Sequence, residues 1–217
     1  MKKAFTLAEV LITLGIIGVV AAISIPQLIT NYQKKVTATK LKQTYSLINQ
    51  AFKISIINNG NVDNWTYSSI NEYTSTFWSP YLKFVKFCKT TFECGYKNNY
   101  PWYCRNANKG SLCVIYWYEW QTNSTYARNM LILANNSYIL FNYNNKYIYI
   151  DINGPSEPNE FGKDFFALEI NSNSVSTAGY LDNQATITAN CSPNGQKDKC
   201  LTKIMRDGWE IKDDYPW

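Results

Sequence analysis

Residues 10–33 carry no charged side chain, and a single carboxylate, Glu9, stands immediately before them. A helix needs about 20 apolar residues to cross the hydrocarbon core of a membrane, so this stretch is long enough. A carboxylate at its mouth works against insertion, by roughly 2.5–3.5 kcal/mol at a helix centre on insertion scales, and is retained where it has a partner. A secretory signal peptide accounts for Lys2 and Lys3, the apolar core, and the small residues Ala21, Ala22 and Ser24. A plain signal anchor accounts for the length and keeps Lys2 and Lys3 on the cytoplasmic side. Neither gives Glu9 a purpose.

A third reading does. The run Ala4-Phe5-Thr6-Leu7-Ala8-Glu9, the apolar stretch after it and Pro26 within that stretch resemble the N-terminus of type IV pilins and type II secretion pseudopilins. The resemblance covers the first 35 residues or so. It implies that a prepilin peptidase removes residues 1–4, cutting between Ala4 and Phe5, and methylates the new amine. Ala4 stands where glycine is commonest in that family; being small, it should still be accepted. The resemblance also implies a partner for Glu9, the N-terminal amine of a neighbouring subunit in a filament. An amine and a carboxylate brought together in an apolar bundle attract strongly and fix axial register. Pro26 removes one helical hydrogen bond and predicts a kink or local melting. Gly15 and Gly18 provide a strip of small residues for close helix contact.

After residue 30 the pattern becomes amphipathic. Leu41, Tyr45, Ile48, Phe52 and Ile56 fall on one helical stripe, which should pack on a sheet. Lys34, Lys35, Lys40, Lys42 and Lys53 take other faces, as a solvated surface or in contact with lipid headgroups. Asn58-Asn59-Gly60 should end the helix. Residues 61–110 are turn-rich and aromatic. They read as a disulfide-stapled connection in which Trp65, Trp78 and Trp102 pack around the bridges or, alternatively, bind sugar. Strand-like runs follow at 113–120, 129–133, 138–142, 146–152 and 165–170, with a turn at Asn144-Asn145; they predict an antiparallel meander.

The chain contains no histidine, which removes Ser-His-Asp and Cys-His catalysis and histidine-containing zinc sites. All six cysteines lie beyond the apolar span and none forms a C-x-x-C pair. They suggest disulfides in an oxidising compartment. Cys191–Cys200 is favoured because it flanks a turn-rich loop; Cys88–Cys94 and Cys104–Cys113 are chosen on closeness in sequence, with a crossed or free pair left open. The formal charge of +5 is mild, and no basic tract is dense enough for a nucleic-acid arm.

Asp151-Ile152-Asn153-Gly154 opens a Gly/Pro loop that closes near Asp164. One reading is a rigid turn whose Asp and Asn side chains bond the backbone. The other is a calcium site on Asp151, Asn153 and Asp164, completed by carbonyls; the resemblance adds to it, since major pseudopilins carry calcium in a C-terminal loop. No cofactor is otherwise required. At the C-terminus, Asp207-Gly208 suggests a hairpin turn, Trp209, Ile211, Tyr215 and Trp217 cover the sheet edge, and Asp213 and Asp214 are solvated.

The expectation is an α+β, pilin-like fold: a long N-terminal helix, half transmembrane and half amphipathic, packed on an antiparallel β-sheet. Its parts are a leader (1–4), a transmembrane assembly helix (5–29), an amphipathic helix (30–59) and a disulfide-stapled β-rich domain outside the cytoplasm (60–217). The resemblance implies a non-enzymatic, polymerising subunit of a pseudopilus or pilus, anchored in the inner membrane. Its partners would be like subunits, the peptidase, an assembly platform and lipid, with no nucleic acid. The alternative is a membrane-tethered adhesin or sugar-binding module that does not polymerise.

Overall fold

The computed structural model describes residues 6–97, 129–141 and 146–217. It divides into two compact units, Met1–Val36 and Thr37–Trp217. Helix α1, Leu7–Asn59, contributes to both. It ends where the sequence says it should: Gly60 takes φ 78° and donates its amide to Ile56 O at 2.9 Å, a left-handed stop that glycine adopts without strain. The helix runs unbroken past Pro26, so the expected local melting is absent. Proline removes only its own N–H bond, and the bonds on either side hold the helix together.

In the second unit, the strands β1 (Phe84–Cys88), β2 (Asn129–Leu133), β3 (Tyr138–Phe141), β4 (Tyr147–Asp151), β5 (Phe165–Asn171) and β6 (Ser174–Thr177) form an antiparallel meander in chain order. Both faces of this sheet are buried, so strand alternation sorts its residues into two cores. One face carries Leu131, Ile139, Phe141, Ile148, Ile150, Phe166 and Leu168. On it lie Leu41, Ile48 and Phe52 of α1, with Tyr45 and Ile56 partly buried at the margin. The predicted stripe therefore faces the sheet. Between its large residues sit Thr37, Ala38, Thr44, Ala51 and Ser55, all buried, whose small size lets the helix come close. Thr44 Oγ1 meets Ser137 Oγ at 3.0 Å.

Lys40 departs from the solvated lysine face. It is half-buried and donates to the carbonyls of Asn136, at 2.9 Å, and Ile152. Burial holds its pKa below the ordinary lysine value, against the pull of Asp151.

Trp65 and Trp78 are buried as well, among other aromatic rings. Trp78 stacks on Phe52 at 5.8 Å and lies 5.3 Å from Phe141. Trp65 stacks on Phe77 at 4.3 Å, from helix α2 (Ile70–Phe77). Together they form the aromatic end of the helix-side core, and neither is available to a sugar. The opposite face holds Met130, Leu140, Tyr149, Phe165 and Ala167 with Tyr96, Phe161 and the Cys88–Cys94 bridge.

Two short helices were not foreseen: α3 (Gln184–Asn190) and α4 (Cys200–Arg206), joined by the Cys191–Cys200 disulfide. Asp207-Gly208 is the end of α4 and not a hairpin. Gly208 takes φ 82°, and the Trp209 amide reaches back to Ile204 O at 2.8 Å, satisfying a carbonyl at the helix end. Ile211 and Tyr215 are buried in the helix-side core, and Trp209 and Trp217 pack against it. Asp214 is not merely solvated: it lies 2.7 Å from Lys203 Nζ. Residues Ala4, Phe5, Trp102, Cys104 and Cys113, the run 113–120 and the Asn144-Asn145 turn lie outside the described residues.

Candidate functional site

The first unit presents its apolar side chains outward. Leu7, Leu11, Ile12, Leu14, Ile17, Ile23 and Leu28 are all exposed, and the helix is long and apolar enough to cross a membrane. A Cβ added at Gly15 or Gly18 would meet nothing within 4 Å, so that strip lies open on the surface.

At its mouth, Thr6 and Glu9 form a capping box. Glu9 Oε2 accepts the Thr6 amide at 2.8 Å and the Thr6 hydroxyl at 2.9 Å, while the Glu9 amide donates to Thr6 Oγ1 at 3.3 Å. The start of a helix leaves amides without intrahelical partners, and a Thr-x-x-Glu pair satisfies two of them reciprocally. A carboxylate there also complements the positive end of the helix dipole. Both bonds use Oε2; among the described residues Oε1 accepts none. The carboxylate can thus cap its own helix through one oxygen and receive an external cation through the other. Sequence reasoning located Glu9 but missed its local partner, although Thr6-x-x-Glu9 ahead of an apolar run was visible.

The Asp151 loop belongs to the second unit and follows β4. Asp151 is fully buried. Its Oδ2 accepts the Tyr96 hydroxyl at 2.8 Å, and its Oδ1 accepts the amides of Gly154 at 2.7 Å and Asn153 at 3.2 Å. Asp164, also buried, accepts the Asn159 amide at 2.7 Å on Oδ2 and the Glu160 amide at 2.6 Å on Oδ1. Burial pushes its pKa up to about 6, against the pull of those amides. Burial, reinforced by Asp151, drives the Tyr96 phenol far above its usual range.

The structure therefore builds a turn whose carboxylate oxygens bind the loop's own N–H groups and the hydroxyl of Tyr96. As a calcium site the loop fits only in part. Asn153 Oδ1 and Asn159 Oδ1 are buried without a hydrogen-bond partner, but a hard cation takes six to eight oxygens. Among the described residues no three His, Cys, Asp or Glu side chains gather as a metal site.

Two of the expected disulfides are present, Cys88–Cys94 and Cys191–Cys200. Near the second, Lys203 is 3% exposed and holds both Asp207, at 2.9 Å, and Asp214. Burial opposes its charge, but the hydrogen bonds to Asp214 and Asp207 prevail and raise its pKa.

Residues 1–25 match the prokaryotic N-terminal methylation motif, the prepilin-type cleavage and methylation signal of type IV pilins and pseudopilins. Residues 27–217 match the model of a family of unknown function, DUF6613. No curated protein and no solved structure matches the chain.

Proposed function

The chain belongs to the family of unknown function DUF6613 and opens with a prepilin-type signal; on that premise we propose that it is a structural subunit that polymerises into a type II secretion pseudopilus or a type IV pilus. The peptidase cuts between Ala4 and Phe5. The mature chain stays in the inner membrane as a single-pass protein, with residues 60–217 outside the cytoplasm, until an assembly platform draws it into the filament. Its work is mechanical, and on this reading it is not an enzyme.

One observation supports the proposal: Glu9 stands at the mouth of a helix whose first half turns its large apolar residues, Leu7 to Ile29, outward. A bundle of such helices buries those residues and leaves the carboxylates in a medium of low dielectric. An ammonium on the new N-terminus of a neighbouring chain then meets Glu9 Oε1, while Oε2 keeps the Thr6 cap. The pair offsets the desolvation of both charges only when they are in contact, so one axial register is favoured over its neighbours.

The experiment is to express the chain with a prepilin peptidase and an assembly platform, then look for sedimentable filaments by electron microscopy. Filaments made of this chain support the reading. A processed chain that remains monomeric in the membrane contradicts it and favours a tethered binding module.

A further inference from the structure

Between Glu9 and Asp63 the chain has five lysines and no carboxylate. One of them, Lys42, lines a groove with Leu47 and Ile54 of α1, Leu82 and Lys83, and no acidic side chain lines it. Lys42 and Lys83 are exposed, and neither has an ion-pair partner among the described residues. The groove is an apolar wall with a cationic rim.

The opposite sign gathers after α4. Glu210, Asp213 and Asp214 are all exposed. The lysine among them, Lys212, lies 3.1 Å from Asp207, and Asp214 reaches the buried Lys203. The turn that carries them is fixed: the Trp209 amide donates to Ile204 O at 2.8 Å and the Tyr215 amide to Lys212 O at 3.1 Å. An ordered segment has little conformational freedom left to lose on docking.

The two sides do not meet within one molecule. Trp209 lies 5.4 Å from Tyr45, whose hydroxyl donates to Val175 O on β6. Leu47 sits about 200° from Tyr45 around α1, and its groove adjoins β1 and β2 through Lys83 and Leu133. Strands β1 and β6 are the two edges of the sheet, roughly 24 Å apart at strand spacing. The carboxylates beside Trp209 therefore leave Lys42 and Lys83 of their own chain uncompensated.

We infer that the Glu210–Asp214 turn of one copy docks on the Lys42–Lys83 groove of the next, with its carboxylates on the two ammoniums. The warrant is charge complementarity. Like faces of two copies repel and unlike faces attract, which selects a head-to-tail arrangement. A contact between two different faces propagates as an open helix instead of closing as a dimer. The inference rests on the polymerisation reading and specifies the partner as a second copy of this chain. Exposed ion pairs are individually weak and are screened by salt, so the contact operates alongside the bundle of α1 helices and does not replace it.

The test is charge reversal in the full chain: Lys42→Glu with Lys83→Glu, and Glu210→Lys with Asp213→Lys, each with a melting curve to monitor folding. Either reversed pair should lower filament yield about fivefold or more. All four changes together should restore it, and wild-type yield should fall as salt rises. A zero-length carbodiimide, which joins an amine to a carboxylate in contact, is applied to mixed isotopically light and heavy chains in membranes and in filaments. Mass spectrometry should find Lys42 or Lys83 of one chain linked to Glu210, Asp213 or Asp214 of another. Filaments that form normally with either reversal and lack these links overturn the docking while leaving the polymerisation reading intact. A loss of yield that the four changes together do not restore also overturns it. Links between chains in membranes without any filaments support the docking and contradict that reading. Links from Lys42 or Lys83 only within one chain, or only to a different protein, overturn the proposal.

Discussion

Thr6 and Glu9 close a ring of hydrogen bonds at the start of α1, with Glu9 Oε2 taking both the amide and the hydroxyl of Thr6. Glu9 is therefore already engaged within the single subunit, and its role in assembly can be separated from its role as a cap. Glu9→Ala removes both; Thr6→Val removes the hydroxyl half of the cap and leaves the carboxylate. If the carboxylate meets a neighbouring amine, Glu9→Ala abolishes or misregisters filaments and Thr6→Val keeps them. Both should leave the melting curve of the second unit unchanged, since neither residue belongs to it. Equal loss in both variants would reduce Glu9 to a helix cap. The check is filament yield and helical register by electron microscopy.

Gly154 takes φ +65°, and a Cβ there would lie 2.4 Å from Cε2 of Tyr138. Gly154→Ala should lose about 1–2 kcal/mol from the left-handed backbone alone, with the displaced ring adding to it. Adding Tyr138→Ala to Gly154→Ala should leave only the backbone part of the Gly154 effect. Denaturant melts of the four variants in a double-mutant cycle measure the coupling; a coupling near zero would contradict the packing described.

Asp164, pushed up to about 6, sits above the ordinary carboxylate value of about 3.9. A folded pKa raised above the unfolded one contributes stability that is fully present below about pH 4 and lost as pH rises through about 6. The loss should be on the order of 2–3 kcal/mol. Urea melts of the wild type and Asp164→Asn between these pH values check it, the variant giving a flatter profile. The same melts with millimolar calcium should coincide with those in EDTA, because the loop's carboxylates hold its own amides. A saturable rise with calcium would instead assign a cation to the Asn153 and Asn159 oxygens.

Lys203 joins Asp207 and Asp214 from a buried position. Lys203→Ala leaves Asp207, whose side chain is 16% exposed, with Lys212 as its remaining cation, and should destabilise by about 1–3 kcal/mol. Asp214→Ala removes a partner that is 62% exposed and should lose under about 1 kcal/mol. Burial alone would raise the pKa of Asp207, but the hydrogen bonds from Lys203 and Lys212 outweigh it and hold it below the ordinary value. Its contribution is thus present above about pH 4 and lost as pH falls through the lower folded value. Acid unfolding of the wild type and Asp207→Asn tests the sign: the wild type should lose more of its stability on acidification.

The helix and four strands were legible because their signals are periodic. Leu41, Ile48 and Phe52 mark a stripe, and the runs around Met130, Leu140, Tyr149 and Phe166 are apolar on both faces. What escaped notice had weak or misleading local signals. Within β1 only Cys88 is buried, so nothing in Phe84–Cys88 reads as a core strand. Helix α3 is rich in residues that favour strands; its one visible marker is Asn183, whose side chain caps Thr186 at 2.9 Å. Asp207-Gly208 carries the same letters for a hairpin as for a helix end, and tertiary packing decided between them. The ammonium of Lys40 and the carboxylate of Asp214 looked solvated because their partners lie far along the chain or across a helix end. At Glu9 the reverse held: the residue was conspicuous in sequence, and the structure added its local partner.

In the proposed processing, residues 1–4 are a leader and Phe5 is the start of an assembling helix. Mass analysis of the N-terminal peptide of the mature protein tests it most directly. The expected result is loss of Met1, Lys2, Lys3 and Ala4 and a first residue Phe5 heavier by one methyl group. An intact Met1, or a first residue near Ile25, would contradict it.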